Sequence, residues 1–105
     1  MATFQEMLAK LPEVEGLSHL ELYDASGQMA ACIENKPGSQ GSLRVYHYLA
    51  GARGCIGPAE AEEGLRLFAE HTEDARKKPG AHPNIDRLLW IIDSGETYTV
   101  QSFPK

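Results

Sequence analysis

The chain has 105 residues and a formal net charge of −5, with 15 acidic side chains against 10 basic ones. Its length suits one domain with one modest core, and its 42% of hydrophobic and 24% of charged residues are the proportions of a globular protein. Because proteins that bind nucleic acids neutralise phosphates with Lys and Arg, the negative charge argues against DNA or RNA as a partner. We therefore predict a single acidic domain over residues 1–105.

The N-terminal segment and the cysteines indicate where the protein works. Residues 1–16 lack the cationic start and the apolar core of a secretory signal, and their apolar positions are spaced as one helical face. The longest apolar run, residues 88–92, is far too short to cross a bilayer. Cys32 and Cys55 form no zinc or redox motif, so we expect both to be reduced. These features predict a cytoplasmic protein with no membrane partner.

The first third of the chain predicts a short helix followed by a β-hairpin. Thr3 and Glu6 have the spacing of a capping box, which favours a helix over residues 4–10. Apolar residues then alternate with polar ones over residues 20–23 and again over residues 29–33. The sequence DASGQ between these two segments is typical of a turn, so the pair reads as two antiparallel strands.

The middle of the chain predicts two helices that form a hairpin. Ser42 suits the N-cap of a helix that runs to about Arg53, with Gly54 as its left-handed C-terminal residue. The Val and Tyr residues of this segment leave a strand as the alternative. Pro58 suits the first turn of a second helix that ends before Pro79. Acidic residues gather near its start and basic ones near its end, as the helix dipole favours.

The end of the chain predicts a second hairpin. Residues 88–92 are apolar on both faces, which favours a central strand, and Ser94-Gly95 would turn the chain into a return strand. The element order is then α-β-β-α-α-β-β. This order predicts an α+β domain in which an antiparallel sheet of two hairpins is covered by the central helical hairpin and the short N-terminal helix.

The helical hairpin has the spacing of a DNA-binding helix–turn–helix, with Ala50 four residues before Gly54. Its second helix, however, begins with Glu60, Glu62 and Glu63. Carboxylates at these positions would repel phosphates. We therefore interpret the hairpin as a packing unit.

The candidate site residues lie in two short stretches, residues 70–76 and residues 79–87. His71 and Asp74 share a helix face, and a loop that folds back after this helix would bring His82 to His71. Two histidines and a carboxylate are ligands that zinc or iron binds, although no H-E-x-x-H or H-x-H spacing is present. The candidate ligand-binding residues are His71, Asp74, His82, Asn84, Asp86 and Arg87, and the candidate metal ligands among them are His71, His82 and Asp86.

A purely structural interpretation of these residues competes with the functional one. His71 would be an exposed helix residue, and His82 would be a loop residue bonded to a carbonyl. Asn84 or Asp86 would cap a turn. On this interpretation, which we prefer, the segment only ends one helix and starts the central strand, and we predict no cofactor. His47, with Arg44 near it, is a further candidate for lining a small-molecule pocket, although such residues commonly form the edge of a core.

Residues 41–50, 62–80 and 81–92 resemble a family of small bacterial proteins catalogued as a domain of unknown function. The likeness covers nearly the whole chain. Its distinctive parts are E-H-T-x-D-A-R, from Glu70 to Arg76, and P-G-x-H-P-N-I-D, from Pro79 to Asp86. The resemblance implies a bacterial cytosolic protein and, if the family has a site, places that site in these two stretches.

Three hypotheses for function follow. The first, which we prefer, is a non-enzymatic domain that acts through self-association as a homodimer or through a protein partner, because small α+β domains gain core area by pairing. The second is a metal- or small-molecule-dependent enzyme or binding protein built on His71, His82 and Asp86, with Arg87 as a further candidate. The third is a DNA-binding regulator, which the charge disfavours.

Overall fold

Five α-helices and four strands form over residues 3–105, the part of the chain that this computed structural model describes, apart from the side chain of residue 52. They are α1 (Phe4–Leu8), β1 (Leu17–Tyr23), β2 (Met29–Glu34), α2 (Gln40–Ala50), β3 (Cys55–Ile56), α3 (Pro58–Phe68), α4 (Glu70–Lys77), α5 (Pro83–Ser94) and β4 (Tyr98–Pro104). The predicted α+β class with an antiparallel sheet is confirmed. Within the described range, every helix is too short or too polar to cross a bilayer.

The four strands form one antiparallel sheet in the order β2-β1-β4-β3. In the central strand β1, Leu20 lies opposite Ile33 of β2, and Leu22 lies opposite Val100 of β4. β4 also pairs with the two-residue strand β3, so the last strand of the chain lies inside the sheet. β2 has a neighbouring strand on one side only and therefore forms one edge.

The β1–β2 hairpin predicted from alternating apolar residues is confirmed. The carboxylate of Asp24 accepts hydrogen bonds from the backbone N–H groups of Ser26 (2.9 Å) and Gln28 (3.1 Å), which closes the turn. Leu20 and Leu22 are buried, whereas the β1 residues on either side of them are partly exposed. Because side chains alternate between the two faces of a strand, this pattern determines which face of the hairpin enters the core.

The core lies between one face of the sheet and a layer of helices. α2 contacts β1, β2 and β3, and α3 packs against both α2 and α5. The largest fully buried side chains are Tyr46, Leu20, Leu22, Leu43, Ile56, Ile85, Leu88, Ile91 and Val45. Gly64 of α3 lets the three helices approach, because a Cβ there would lie 2.8 Å from a Leu49 methyl carbon and 2.7 Å from one of Leu88.

The first two helices begin close to the predicted positions. Glu6 donates its N–H to the hydroxyl of Thr3 (3.3 Å) and its carboxylate accepts the N–H of Thr3 (3.1 Å), which confirms the capping box, although α1 ends at residue 8. The segment that contains Ser42 is helical, so the strand alternative is wrong, and its N-cap position is Ser39. After a short 3₁₀ turn, Gly54 adopts the expected left-handed conformation, with φ 69°.

The second predicted helix, residues 58–78, is broken into α3 and α4. The break lies at Ala69, which has φ 51°, a left-handed conformation that is uncommon for a residue other than glycine. Two hydrogen bonds stabilise it: the Thr72 hydroxyl donates to the carbonyl of Leu65 in α3 (2.6 Å), and the Glu70 carboxylate accepts the N–H of Phe4 in α1 (2.8 Å). No glycine or proline marks the position, so local sequence alone predicts one continuous helix.

The predicted second hairpin is wrong, because the apolar run belongs to helix α5 rather than to a strand. Pro83 occupies the first turn, and Gly95 ends the helix in a left-handed conformation with φ 77°. Ile85, Leu88 and Ile91 are buried on one face at helical spacing. The run from 88 to 92 satisfies a buried strand and a buried helix equally well, and the apolar residue one turn earlier, Ile85, favours the helix.

Candidate functional site: a cleft beside the paired histidines

A cleft of about 610 Å³ opens between α1, the start of α2 and the segment that joins α4 to α5. Its walls include Phe4 from α1, Arg44 from α2, His71 from α4, and His82 and Asn84 from the start of α5. The two stretches that carry the family resemblance therefore meet at one concave surface. His47, the other histidine considered for a pocket, is not among the lining residues.

The loop after α4 folds back and brings His71 and His82 together, as a shared site requires. The centroids of the two imidazole rings lie 5.7 Å apart, with the planes tilted by 44°. His71 also meets the ring of Phe4 edge-on at 4.9 Å. Phe4 in turn stacks on Phe68 at 5.3 Å. Aromatic contacts of this kind hold the His71 ring in place at the wall of the cleft.

His82 is oriented by a carboxylate rather than by a backbone carbonyl. Its Nε2 lies 2.7 Å from Oδ2 of Asp74, whose other oxygen is 3.3 Å from the ammonium group of Lys78. The hydrogen bond from His82, followed by that from Lys78, lowers the pKa of Asp74. A carboxylate acceptor assigns the proton to Nε2, so neutral His82 presents the lone pair of Nδ1, and protonated His82 presents an N–H there.

Asp86 does not join the two histidines, so the metal set of His71, His82 and Asp86 is not assembled. The Oδ2 atom of Asp86 accepts the backbone N–H of Gly80 at 2.9 Å, which closes the loop before α5. This contact agrees with the predicted turn-capping role. Among residues 3–105, no three His, Cys, Asp or Glu side chains are grouped closely enough to hold a metal ion.

Asn84 and Arg87 belong mainly to a buried network around Tyr46. The hydroxyl of Tyr46 donates to the backbone carbonyl of Asn84. The Nη1 atom of Arg87 donates to the side-chain oxygen of Asn84 (2.9 Å) and to the Tyr46 hydroxyl (3.2 Å). Tyr46 is fully buried, and this desolvation raises its pKa to about 12. The network fixes the start of α5 against α2, so Arg87 faces Tyr46 and does not line the cleft.

Arg44 combines a structural contact with its place in the cleft. Its Nη2 atom donates to the carbonyl oxygens of Leu8 and Leu11, both at 2.8 Å, and thereby satisfies backbone acceptors where α1 ends. An exposed carboxylate, that of Glu13, lies 3.8 Å away. The Nε atom of Arg44 is buried and has no hydrogen-bond partner within the described residues. The sequence signal for the bonds from Arg44 to α1 was limited to the presence of an arginine within the otherwise apolar sequence LRVY.

The described lining of the cleft is less acidic than the protein as a whole. None of the residues described as lining it is acidic, although the chain carries a net charge of −5. The charged or titratable side chains of the lining are Arg44, His71 and His82. Sequence reasoning missed Phe4 as a wall residue, since nothing in its local sequence connects it with α4 and α5.

The sequence model of one protein family matches residues 4–102. That family is described as an uncharacterised protein conserved in bacteria, DUF2322, so the resemblance to a bacterial domain of unknown function is confirmed. No curated protein and no solved structure matches the chain.

Proposed function

We propose that this chain, which belongs to the bacterial family DUF2322, is a small-molecule-binding domain whose ligand occupies the cleft. The observation that carries the proposal is the Asp74–His82 pair at the wall of that cleft. Ligand sites are typically concave and combine apolar walls with a few oriented polar groups. Phe4 and Phe68 supply apolar wall here, and His82 supplies a polar group of fixed orientation. The proposal concerns binding and assigns no reaction.

A fragment screen by protein-observed NMR tests this proposal. We expect fragments to shift the backbone resonances of segments 38–44 and 81–85, which contain most of the residues that line the cleft. His82→Asn should weaken these fragments, whereas His47→Asn, a histidine of α2 outside the lining, should not. Hits that cluster on another surface, or an equal response of both variants, would contradict the proposal.

Self-association through β2 is a second candidate function, supported by the exposed edge of the sheet. β2 is an edge strand, and edge strands offer unpaired backbone groups to another strand. Met29 is 57% exposed, Ala30 and Cys32 are exposed, and the strand contains no proline or lysine that would oppose pairing. An antiparallel pair of β2 strands from two copies forms a closed, two-fold symmetric dimer. We therefore propose a homodimer as the assembly in which the cleft works.

Native mass spectrometry and thiol cross-linking test the dimer. Because β2 strands that pair antiparallel place the two Cys32 side chains near the symmetry axis, we expect a dimer that cross-links through this residue. Cys32→Ser should abolish the cross-link, and Cys55→Ser, the matched control on β3, should retain it. A monomer mass at every protein concentration would exclude this candidate.

Both thiols are free, which supports our proposal of a cytoplasmic location, where thiols stay reduced.

A further inference from the structure

We infer that the ligand of the cleft carries an anionic group, a carboxylate or a phosphate, which binds to the protonated form of His82. This inference rests on the proposed function, because it assigns a chemical class to the ligand of the same cleft. It is carried by two features of the structure: the segregation of charge between the cleft and the rest of the surface, and the geometry of the Asp74–His82 pair.

The distribution of acidic residues between the cleft and the rest of the surface indicates the charge of the ligand. Fifteen acidic side chains are distributed over the chain, yet none of the described lining residues of the cleft is acidic. Three carboxylates close to the lining residues lie outside the lining: Asp74 is engaged by His82 and Lys78, Glu70 accepts the N–H of Phe4, and the exposed Glu13 lies 3.8 Å from Arg44. An anion that enters the cleft therefore meets Arg44 and two imidazoles without a facing carboxylate. A cation in the same position would be repelled by the guanidinium of Arg44 and would find no carboxylate among the described lining residues.

The Asp74–His82 pair selects the protonated imidazole when an anion is present. Nε2–H of His82 donates to Asp74, so a second proton, on Nδ1, is the one available for a ligand. A charged donor makes a shorter and stronger hydrogen bond to a carboxylate or phosphate than a neutral one does. The charged and titratable groups around His82 are Asp74 and Lys78 of α4, its neighbour His71, and Arg44, which lines the same cleft.

The apolar part of the lining indicates what accompanies the anionic group. Phe4, Leu8, Phe68 and Ile85 contribute to the walls together with the edge-on ring of His71. These surfaces suit a flat or aliphatic body attached to the charged group. A small aromatic carboxylate is therefore a suitable probe, and a neutral amide of the same shape is its matched control.

The experiment compares benzoate with benzamide by protein-observed NMR titration of the full chain. We expect benzoate to shift the resonances of residues 38–44 and 81–85, and to bind roughly ten-fold more tightly at about pH 6 than at about pH 8, because histidine gains its second proton over this range. Benzamide should bind at least ten-fold more weakly than benzoate at about pH 6.

Three variants assign this dependence to His82. His82→Asn should remove the difference between the two pH values, and His82→Gln provides a second uncharged variant if the first fails to fold. His47→Asn should behave as the wild type. Binding of benzoate that is independent of pH, or equal binding of benzamide, would overturn the inference while leaving the cleft as a ligand site. If neither probe nor any fragment binds in the cleft, the proposed function fails as well.

Discussion

Two neighbouring clusters share the start of α5 and differ in what holds them. His82 bonds to Asp74 at the wall of an open cleft, and both side chains remain partly exposed to solvent, at 28% and 40%. Two residues later, Asn84 joins Arg87 and Tyr46 in a network whose centre is fully buried. The buried network is explained by folding, because a buried hydroxyl and carbonyl must find partners. The exposed pair has no such necessity, which is why we assign it to binding.

This difference shows how to separate structural from functional residues within one short motif. Both clusters come from the stretch that carries the family resemblance, so the motif alone does not separate them. Removal of a group from the buried network should cost stability and leave the cleft chemistry unchanged. Removal of His82 should have the reverse effect.

Tyr46→Phe should cost about 1 to 3 kcal/mol of the free energy of unfolding, because it removes a buried hydroxyl that donates to the carbonyl of Asn84 and accepts a hydrogen bond from the guanidinium of Arg87. Urea denaturation measures the change. Tyr48→Phe, on the same helix but 44% exposed, is the matched control and should have little effect. Equal losses in the two variants would show that the network does not stabilise the fold.

The protein should lose stability in alkaline solution because burial raises the pKa of Tyr46 to about 12. In the unfolded chain a tyrosine ionises near pH 10, whereas Tyr46 in the fold stays neutral. Its contribution is therefore complete below about pH 10 and is lost as the pH rises towards about 12, by on the order of 2 kcal/mol. Urea midpoints measured across this range should fall less steeply in Tyr46→Phe, and parallel curves would contradict the assignment.

His82→Asn should change the free energy of unfolding less than Tyr46→Phe does, because the pair with Asp74 is partly exposed and solvent screens it. The same variant should lose the binding of benzoate described above. Urea denaturation and the NMR titration on one protein sample report both quantities. If His82→Asn lost as much stability as Tyr46→Phe, His82 would have a structural role and not a role in binding.

The smallest expected effect is a loss of stability in acid through Asp74. Bonds from His82 and Lys78 lower the pKa of this carboxyl in the folded protein. A lowered pKa contributes stability above the pKa of the unfolded chain, near pH 4, and that contribution is lost as the pH falls through the folded value. The difference in urea midpoint between the wild type and Asp74→Asn should therefore be present at about pH 5 and shrink as the pH falls further below about 4. A constant difference would contradict this role.

Segments whose conformation depends only on residues close to them in the sequence were predictable. The Thr3–Glu6 capping box, the turn at Asp24 and the left-handed Gly54 each depend on residues within a few positions of one another. The break at Ala69 was not predictable, since the groups that stabilise it come from the preceding helix and from α1. The apolar run over residues 88–92 was misassigned because a buried helix and a buried strand require the same residues there.

The candidate site was predictable only in part. Helical spacing placed His71 and Asp74 on one face, but the partner of His82 required the return of the loop that Asp86 closes onto Gly80. The carboxylate of Asp86, a candidate metal ligand in the sequence, is directed to that backbone N–H, a contact that depends on the same return of the loop. Phe4 enters the cleft from the other end of the chain, and no local pattern predicts such a contact.

Local patterns in the sequence predicted the α+β class, the first hairpin, the Thr3–Glu6 capping box, the left-handed Gly54 and the two stretches that contain the candidate site, and composition gave the acidic character. The folded chain alone shows that residues 83–94 form a helix, that β4 lies between β1 and β3, and that the described lining of the cleft contains no acidic residue. The physical reason is the distance along the sequence between the residues that interact. Caps, turns and alternation depend on neighbours along the chain, whereas the choice between a buried helix and a buried strand depends on partners that only the folded chain supplies.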